Sequence, residues 1–587
     1  MNKLNKDKIK LAGNLEPFSI KIDLETLMPG LELIHIKLNS SRKFQVPTFK
    51  ISWTLSSRGI YASLSPLTHD SCASAPPLNK EYRGKSNFGA PVTCLYGNDD
   101  INRLTYSFSD PLNPVRCRHR FIPETGEIEC SIALFAEKSS QIDQYAATIR
   151  VDTRELPYYQ TLDDVAKWWD EIYDIDPDIP AAALNPVYST WYSFLQNVDA
   201  DSILKQCKLA KEIGCDTVII DDGWQTDIHD RSYKYCGDWQ VCESKFPDMR
   251  ELVSSVKDIG MKCMLWYAVP FIGHGSKLWS DLKEYALPIS GKEWSVLDPR
   301  RKIVRTHLVK TLNDAVVNYG LDGLKLDFID NFDLPGMDEE LEAGDIESMP
   351  EATLELMDEA IRKFKEHSPE ILTEFRQNYL GPLMKKYGNM FRAADCPFDP
   401  LMNRIRILDL RLMSGNVPVH SDMIAWGKEE NVEEAALQLI NVLFGVPQIS
   451  LLIDELPSEH LKMLKFWLDF WRENVDVLMG GQLIPRQPHA LYSSVTALAG
   501  ERRIDVMHSV NMIVVNENLQ KDFFIVNGSS FNEIIFNVKK KCGAYSFKIY
   551  DCAGNIQQTS VIDIEEGLTS IPLAPAGLAV LKKQDNK

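Results

Sequence analysis

Basic residues are in short supply in this 587-residue chain: 64 Lys and Arg stand against 83 Asp and Glu, a formal charge of -19. Such a field repels phosphate backbones and anionic lipid, so neither a nucleic acid nor a membrane surface is expected as a partner. The twelve cysteines contain no CxxC pair, and no histidine-rich cluster accompanies Cys236 and Cys242, the closest pair before the C-terminal stretch. No metal site is expected, and no cofactor. Several cysteines sit inside apolar runs, as Cys263 does in MKCMLWYAV, which is the usage of small buried hydrophobes in a reducing compartment. The N-terminal stretch MNKLNKDKIKLAGNLEP has lysines but no apolar run behind them, so it reads as neither a secretory signal nor a membrane anchor, and a cytoplasmic chain is expected. Repeats and low-complexity tracts are also missing. Nothing in the sequence indicates an oligomeric state.

What is present is an ordinary globular composition, 44% apolar and 25% charged, long enough for two or three domains with large cores. Residues 1–160 show short β-rich runs broken by Pro, Gly, Asn and Ser, such as FSIKIDLET and LELIHIKLN, and predict a β-sandwich. Residues 161–185 hold a helical stretch, TLDDVAKWWDEIYD, and a linker. From 186 to 480 apolar runs alternate with amphipathic helices, the rhythm of parallel βαβ units. The strand candidates are PVYSTWYSF, DTVIIDD, KCMLWYAV, GLKLDFI, EILTEF, MFRAAD, PVHSDM and QISLLID. Eight such runs predict a closed (β/α)8 barrel. Among the helices, Met249, Leu252, Val253, Val256 and Ile259 share one face with Gly260 at the end. SEHLKMLKFWLDFWRENVDVL predicts one long closing helix. Residues 481–587 return to short β runs, an antiparallel C-terminal β-sandwich. The fold class is multidomain α/β with a central TIM barrel.

In such a barrel the chemistry lies at the C-terminal ends of the strands. Those ends carry Asp221, Asp222 and Trp224; Trp266; Lys325, Asp327 and Asp330; Glu374, Arg376 and Gln377; Arg392 and Asp395; and His420 and Asp422. Carboxylates interleaved with tryptophans suit carbohydrate, because aromatic faces stack on sugar C–H surfaces while carboxylates hold hydroxyls, and glycoside hydrolysis needs a carboxyl pair flanking the scissile bond. Each residue alone has a plainer explanation. A strand-end Asp often caps the next helix, Asp222 before Gly223 fits turn chemistry, Lys325 fits a structural pair with Asp327, and His420 fits a satisfied polar residue.

Four segments go further. VIIDDGWQ, CGDWQVCESKFPDM, MLWYAVPF and GLKLDFID, in that order and spacing, resemble the IDDGW, GDW–KFP, GLWFEPE and IKWD segments of glycoside hydrolase family 36, the α-galactosidases of the melibiase clan. The resemblance spans most of residues 186–478. It implies Asp327 as nucleophile, Lys325 as sugar ligand, Asp221 and Asp222 as acceptors for the 4- and 6-hydroxyls, and Asp395 in FRAAD as acid/base, with Asp399 the competing aspartate. FRAADCPFD is also similar to the RASDD segment of the raffinose-synthase branch. Two departures stand out: Ala268 replaces the glutamate of LWFEPE, and TEFRQNYLGP replaces the glycine-rich SCSGG segment near the sugar's second carbon. The expected activity is a retaining, exo-acting α-galactosidase on small-molecule carbohydrate, with an α-N-acetylgalactosaminidase, a galactosyl transglycosylase and a catalytically silent sugar-binding protein as alternatives. Trp191, Trp224 and Trp266 are expected to shape the pocket, Arg376 and Arg392 to orient hydroxyls or Asp395, and Asp422 to bind substrate. Lys325 is expected to lie beside Asp327 and keep it ionised, and a negative mouth to keep Asp395 protonated.

Overall fold

A computed structural model of the chain describes residues 4, 6–67, 79–333, 341–516 and 519–584. The eight apolar runs form eight parallel strands: β1 (Val187–Ser189), β2 (Thr217–Ile220), β3 (Lys262–Ala268), β4 (Gly323–Asp327), β5 (Leu372–Arg376), β6 (Met390–Arg392), β7 (Val419–His420) and β8 (Gln448–Ile449). Each pairs with its sequence neighbour up to β7, and β8 pairs with β1. Bridges His420–Val446 and Ile424–Ile449 join the last two strands and close the cylinder.

Side chains alternate along each strand, so every second residue points into the barrel. At the bottom Val187, Ile219, Met264, Leu372 and Met390 meet in an apolar floor, with Ala182 and Ala183 packed beneath. Two residues further up, the same alternation brings Ser189, Asp221, Trp266, Lys325, Glu374 and Arg392 inward. Gly323 is the floor position of β4. A Cβ there would lie 2.5 Å from the Leu372 carbonyl oxygen and 2.9 Å from Met264 Cγ, so the strand that carries Asp327 approaches its neighbours as closely as it does because this residue has no side chain.

The outer helices follow their caps. Asp248 accepts the amide of Glu251 at 3.0 Å and starts the helix Met249–Asp258, and Gly260 follows it in the left-handed region (φ +86), where glycine carries no Cβ penalty. The expected long closing helix is two, Ser458–Glu473 and Val475–Leu478. Asn474 breaks it by turning its side-chain amide back to the Phe470 carbonyl at 2.8 Å, a local bond that competes with helix continuation.

Before the barrel, a five-stranded and a six-stranded antiparallel sheet face each other around Ile34, Ile36, Trp53, Tyr106 and Ile132. The helix Tyr158–Tyr173 packs on this sandwich and buries Leu162, Val165 and Trp169, the indole donating to the Phe108 carbonyl at 2.8 Å. After the barrel come a seven-stranded and a three-stranded sheet. Their pairs are antiparallel except Arg502–Met507 with Asp522–Asn527 and Met512–Val515 with Glu533–Val538, which run parallel. Among the described residues no helix is long and apolar enough to cross a membrane.

The close approach at Gly323 sets an expectation. Gly323→Ala forces the floor apart and destabilises the chain by about 1–3 kcal/mol, the usual penalty for overpacking, which a lowered denaturant midpoint will show. An unchanged midpoint would mean the floor has slack.

Candidate active site

Asp327 ends β4 at the barrel mouth. Its Oδ1 accepts from Arg376 Nε at 2.6 Å and from the Phe328 amide at 2.7 Å, and its Oδ2 accepts from the Trp266 indole at 3.0 Å. Burial opposes the charged form, but Arg376 first and Lys325 second outweigh it, so the carboxyl is held below the ordinary aspartate value. The Arg376 guanidinium in turn lies 4.9 Å over the Phe328 ring and 5.6 Å over that of Tyr379. The expected partnership between Lys325 and Asp327 is therefore corrected. Lys325 Nζ donates to Asp221 Oδ2 at 2.6 Å across the barrel, and the direct partner of Asp327 is Arg376. The reason is register: in-register neighbours Lys325 and Glu374 share one level of the interior, whereas Asp327 and Arg376 stand one level higher.

Asp222, next to Asp221, receives Gln196 Nε2 at 2.8 Å and Gln225 Nε2 at 2.7 Å. Burial pushes its pKa up to about 6 despite those two bonds. Gly223 is more than turn chemistry here. It sits at φ +116, and a Cβ would lie 2.6 Å from Gln196 Cα, so only glycine lets the loops after β1 and β2 touch and bring Gln196 onto Asp222. Lys245, from the KFP segment, ties the same loops by donating to the carbonyls of Gln196 and Gly223, each at 2.6 Å.

On the opposite side Arg392 collects three carboxylates: Asp422 through Nη1, Asp395 Oδ1 at 2.9 Å and Glu374 Oε1 at 3.4 Å. Asp422, expected to bind substrate, is fully buried and also accepts from the Tyr192 hydroxyl at 3.0 Å and the Cys396 amide at 2.6 Å, so its carboxylate is engaged with Arg392 and these neighbours. Arg392 is itself buried and orients Asp395, not hydroxyls. Asp395 stands out at 57% side-chain exposure. Burial of its surroundings raises its pKa, but Arg392, Arg376 and Lys325 outweigh that and hold it below the ordinary range; solvent around so exposed a group screens the depression. The expectation of a protonated Asp395 in a negative mouth is thus overturned for the free protein, because the groups nearest it are cations whatever the net charge of the chain. Asp399 accepts the Met402 amide at 2.9 Å and is the N-cap of the helix Pro400–Arg411.

The tryptophans divide. Trp191 is half-buried with the Arg231 guanidinium 5.6 Å over its ring. Trp266 holds Asp327. Trp224, expected in the pocket wall, has no accessible surface: it stacks on Trp239 with ring centres 6.0 Å apart and donates to the Trp266 carbonyl at 2.9 Å, so it backs the wall instead. His420 is buried and held neutral, its pKa lowered to about 4 by burial, against the Ala183 carbonyl at 2.8 Å. Sequence reasoning passed over Tyr233, whose ring packs on both Trp266 and Phe328, and over Gln196 and Gln225. Gln225 was legible as the residue closing DDGWQ; Tyr233 lies in an irregular loop with no periodic signal. Ala268 lies in register beside Asp327, so no side chain separates the two strand ends. Among the described residues no three His, Cys, Asp or Glu side chains are grouped to hold a metal.

Comparison with known proteins bears on what this mouth does. The Melibiase family model matches residues 180–375, the stretch from β1 to β5. Alpha-galactosidase 2 of Pediococcus pentosaceus is 30% identical over 148 residues, 24% of this chain and 20% of that protein. The alpha-galactosidase of Escherichia coli is 30% identical over 114 residues, 19% of this chain and 16% of that one. The chain is thus matched over about a fifth of these relatives' length. In three dimensions the likeness is wider. The glycoside hydrolase family 36 α-galactosidase AgaA of Geobacillus stearothermophilus superposes with a TM-score of 0.66 at 13% identity, over 96% of this chain and 81% of that one. The α-galactosidase of Thermus thermophilus gives 0.56 at 16% identity, over 81% and 98%. The three-part architecture is that of these structures.

Because Arg376 supplies the largest favourable charge at Asp327, its removal lets burial raise the carboxyl pKa. An aspartate depressed below its ordinary value is active above that pKa and inactive below it. Arg376→Ala is therefore expected to move the acid limb of kcat/KM to higher pH. A pH–rate profile with its acid limb unmoved, in a variant with native circular dichroism, would show that Arg376 does not tune Asp327.

Proposed function

From a barrel that shares its fold, and part of its sequence, with the family 36 α-galactosidases, we propose that the protein is a retaining, exo-acting α-galactosidase that hydrolyses terminal α-galactosides of small oligosaccharides. The observation that carries the reading is the state of Asp327: a carboxylate kept ionised at the mouth, whose Oδ2 accepts, among the described residues, only from Trp266. That oxygen retains a lone pair for attack on an anomeric carbon. In this reading Asp221 and Asp222 accept the 4- and 6-hydroxyls, as the resemblance of their segment implies, which would distinguish galactose from its 4-epimer because a site built for one hydroxyl leaves buried groups unpaired when it moves. A variant of the Geobacillus AgaA has been crystallised with raffinose, an oligosaccharide of the small size proposed for the substrate of this chain. Cys207, Cys215 and Cys263 are buried and form no disulfide, which accords with work in the cytoplasm.

The reaction runs in two steps. Asp327 attacks the anomeric carbon as the glycosidic C–O bond breaks, and Asp395 gives its proton to the departing oxygen; water then attacks the glycosyl ester and gives a proton back to Asp395. Asp395 is ionised in the free protein, so it becomes an acid only in the complex, where a bound sugar strips water from its exposed carboxyl and disfavours the charge. Once Asp327 is esterified its negative charge is gone, the pKa of Asp395 falls, and the same group turns into the base for water.

Double displacement requires that the first sugar released from 4-nitrophenyl α-galactoside be the α-anomer. Proton NMR in the first minutes of reaction decides this, and initial β-anomer would remove the nucleophile role of Asp327. For Asp395 the expectation is a basic limb of kcat at higher pH than that of kcat/KM, since the former reports the complex and the latter the free enzyme. Asp395→Ala should also recover turnover of the activated galactoside when azide is added. Rescue in Asp399→Ala instead would move the acid/base to that residue.

A further inference from the structure

The ends of β4 and β5 bring Asp327 and Arg376 together, and the N-terminal sandwich reaches over to hold the loops that follow both strands. Residues 83–89, RGKSNFG, leave the strand Asn79–Gly84 and fold back on themselves, with Lys85 and Phe88 exchanging backbone hydrogen bonds of 3.0 and 3.2 Å. Arg83 lays its fork on Asp333, in the loop after β4, at 2.5 and 2.6 Å, and Lys85 bonds the same carboxylate. Asn87 Nδ2 donates to the carbonyls of Ile329 at 2.8 Å and Phe332 at 3.2 Å. The Gly89 amide donates to Asn378 in the loop after β5 at 3.1 Å. Gly381 permits that contact, since a Cβ there would sit 2.4 Å from the Ser86 carbonyl oxygen. Lys85, Ser86 and Asn87 are all buried.

What this strap holds is the turn beginning at Phe328. That residue has φ +65, a left-handed conformation that a bulky side chain keeps only when its surroundings impose it. Its amide bonds Asp327 Oδ1, and its ring supports the Arg376 guanidinium. We propose that Asn87 is a positioning residue for Asp327: by tying the carbonyls of Ile329 and Phe332 it holds the Phe328 turn, and through it the Arg376–Asp327 pair, in reacting geometry. This rests on the reading of Asp327 as the nucleophile. The charged and titratable groups facing Asp327 are Lys325 from β4, Arg376 and Tyr379 from β5 and its loop, Arg392 and Asp395 from β6, Asp330 from its own loop and Tyr233 from the loop after β2. None of them belongs to the strap, so Asn87 acts on Asp327 only by placing these groups.

The test uses the full chain and 4-nitrophenyl α-galactoside, with Asn87→Ala, Asp333→Asn and Asp327→Ala compared for kcat, KM, melting temperature and pH profile. Asn87→Ala is expected to lower kcat by at least about tenfold with KM changed by less than about threefold, the signature of misplaced reacting groups. Its acid limb should move to higher pH as the Arg376–Asp327 pair loosens. If Asn87→Ala does not fold, Asp333→Asn, at the more exposed end of the strap, is expected to give the same pattern. A folded strap variant with kcat within about twofold of wild type and an unmoved acid limb, alongside an inactive Asp327→Ala, overturns the proposal and leaves the nucleophile in place. Wild-type turnover by Asp327→Ala overturns the nucleophile reading and the proposal with it.

Discussion

Burial disfavours a charged carboxylate unless a neighbour offsets it, and the barrel interior sets cations against most of its carboxylates. Lys325 answers Asp221, Arg376 answers Asp327, and Arg392 answers Asp422, Asp395 and Glu374. Apart from Arg392 and Asp395, which share the end of β6, the partners come from different strands, so those pairs are also statements about register. Removing one member of the pairs largely buried on both sides, Lys325–Asp221, Arg376–Asp327 or Arg392–Asp422, leaves the other uncompensated, a loss of about 3–5 kcal/mol. The apolar floor below and the glycine at the base of β4 exist in this light to set the height at which those charges meet.

Charge balance also separates the two aspartates proposed for the reaction. Both feel the same cations, yet one is packed beneath an indole and a guanidinium and the other is largely in solvent. Close cations hold Asp327 in its charged form against burial, while Asp395 remains open to whatever covers it. Two identical carboxyl groups receive different chemistry from their surroundings alone.

Much of this was legible in the sequence, and the parts that were not share a cause. Eight strands could be read because each is an apolar run ending in polar residues, and the helix Met249–Asp258 because its buried face and its glycine stop repeat at helical spacing. The partner of Lys325 could not be read, because the neighbour two residues away in sequence lost to Asp221, 104 residues distant. The protonation of Asp395 was misjudged because a chain's net charge says little about the field at one atom when three cations lie nearer than the rest. Trp224 looked like pocket wall because sequence reveals that a residue is near a strand end but not which layer it occupies. The split of the closing helix at Asn474 turned on one side-chain bond that periodicity does not see.

Arg392 serves three carboxylates at once, and that has a consequence for how the protein can change over generations. A drift at any one of Asp422, Glu374 or Asp395 alters the balance for the other two, so viable sequences on this side of the barrel are expected to differ in several of these positions together or in none. The loops outside the network carry no such obligation. Variation has room to accumulate there, while the inner wall is expected to change as a block.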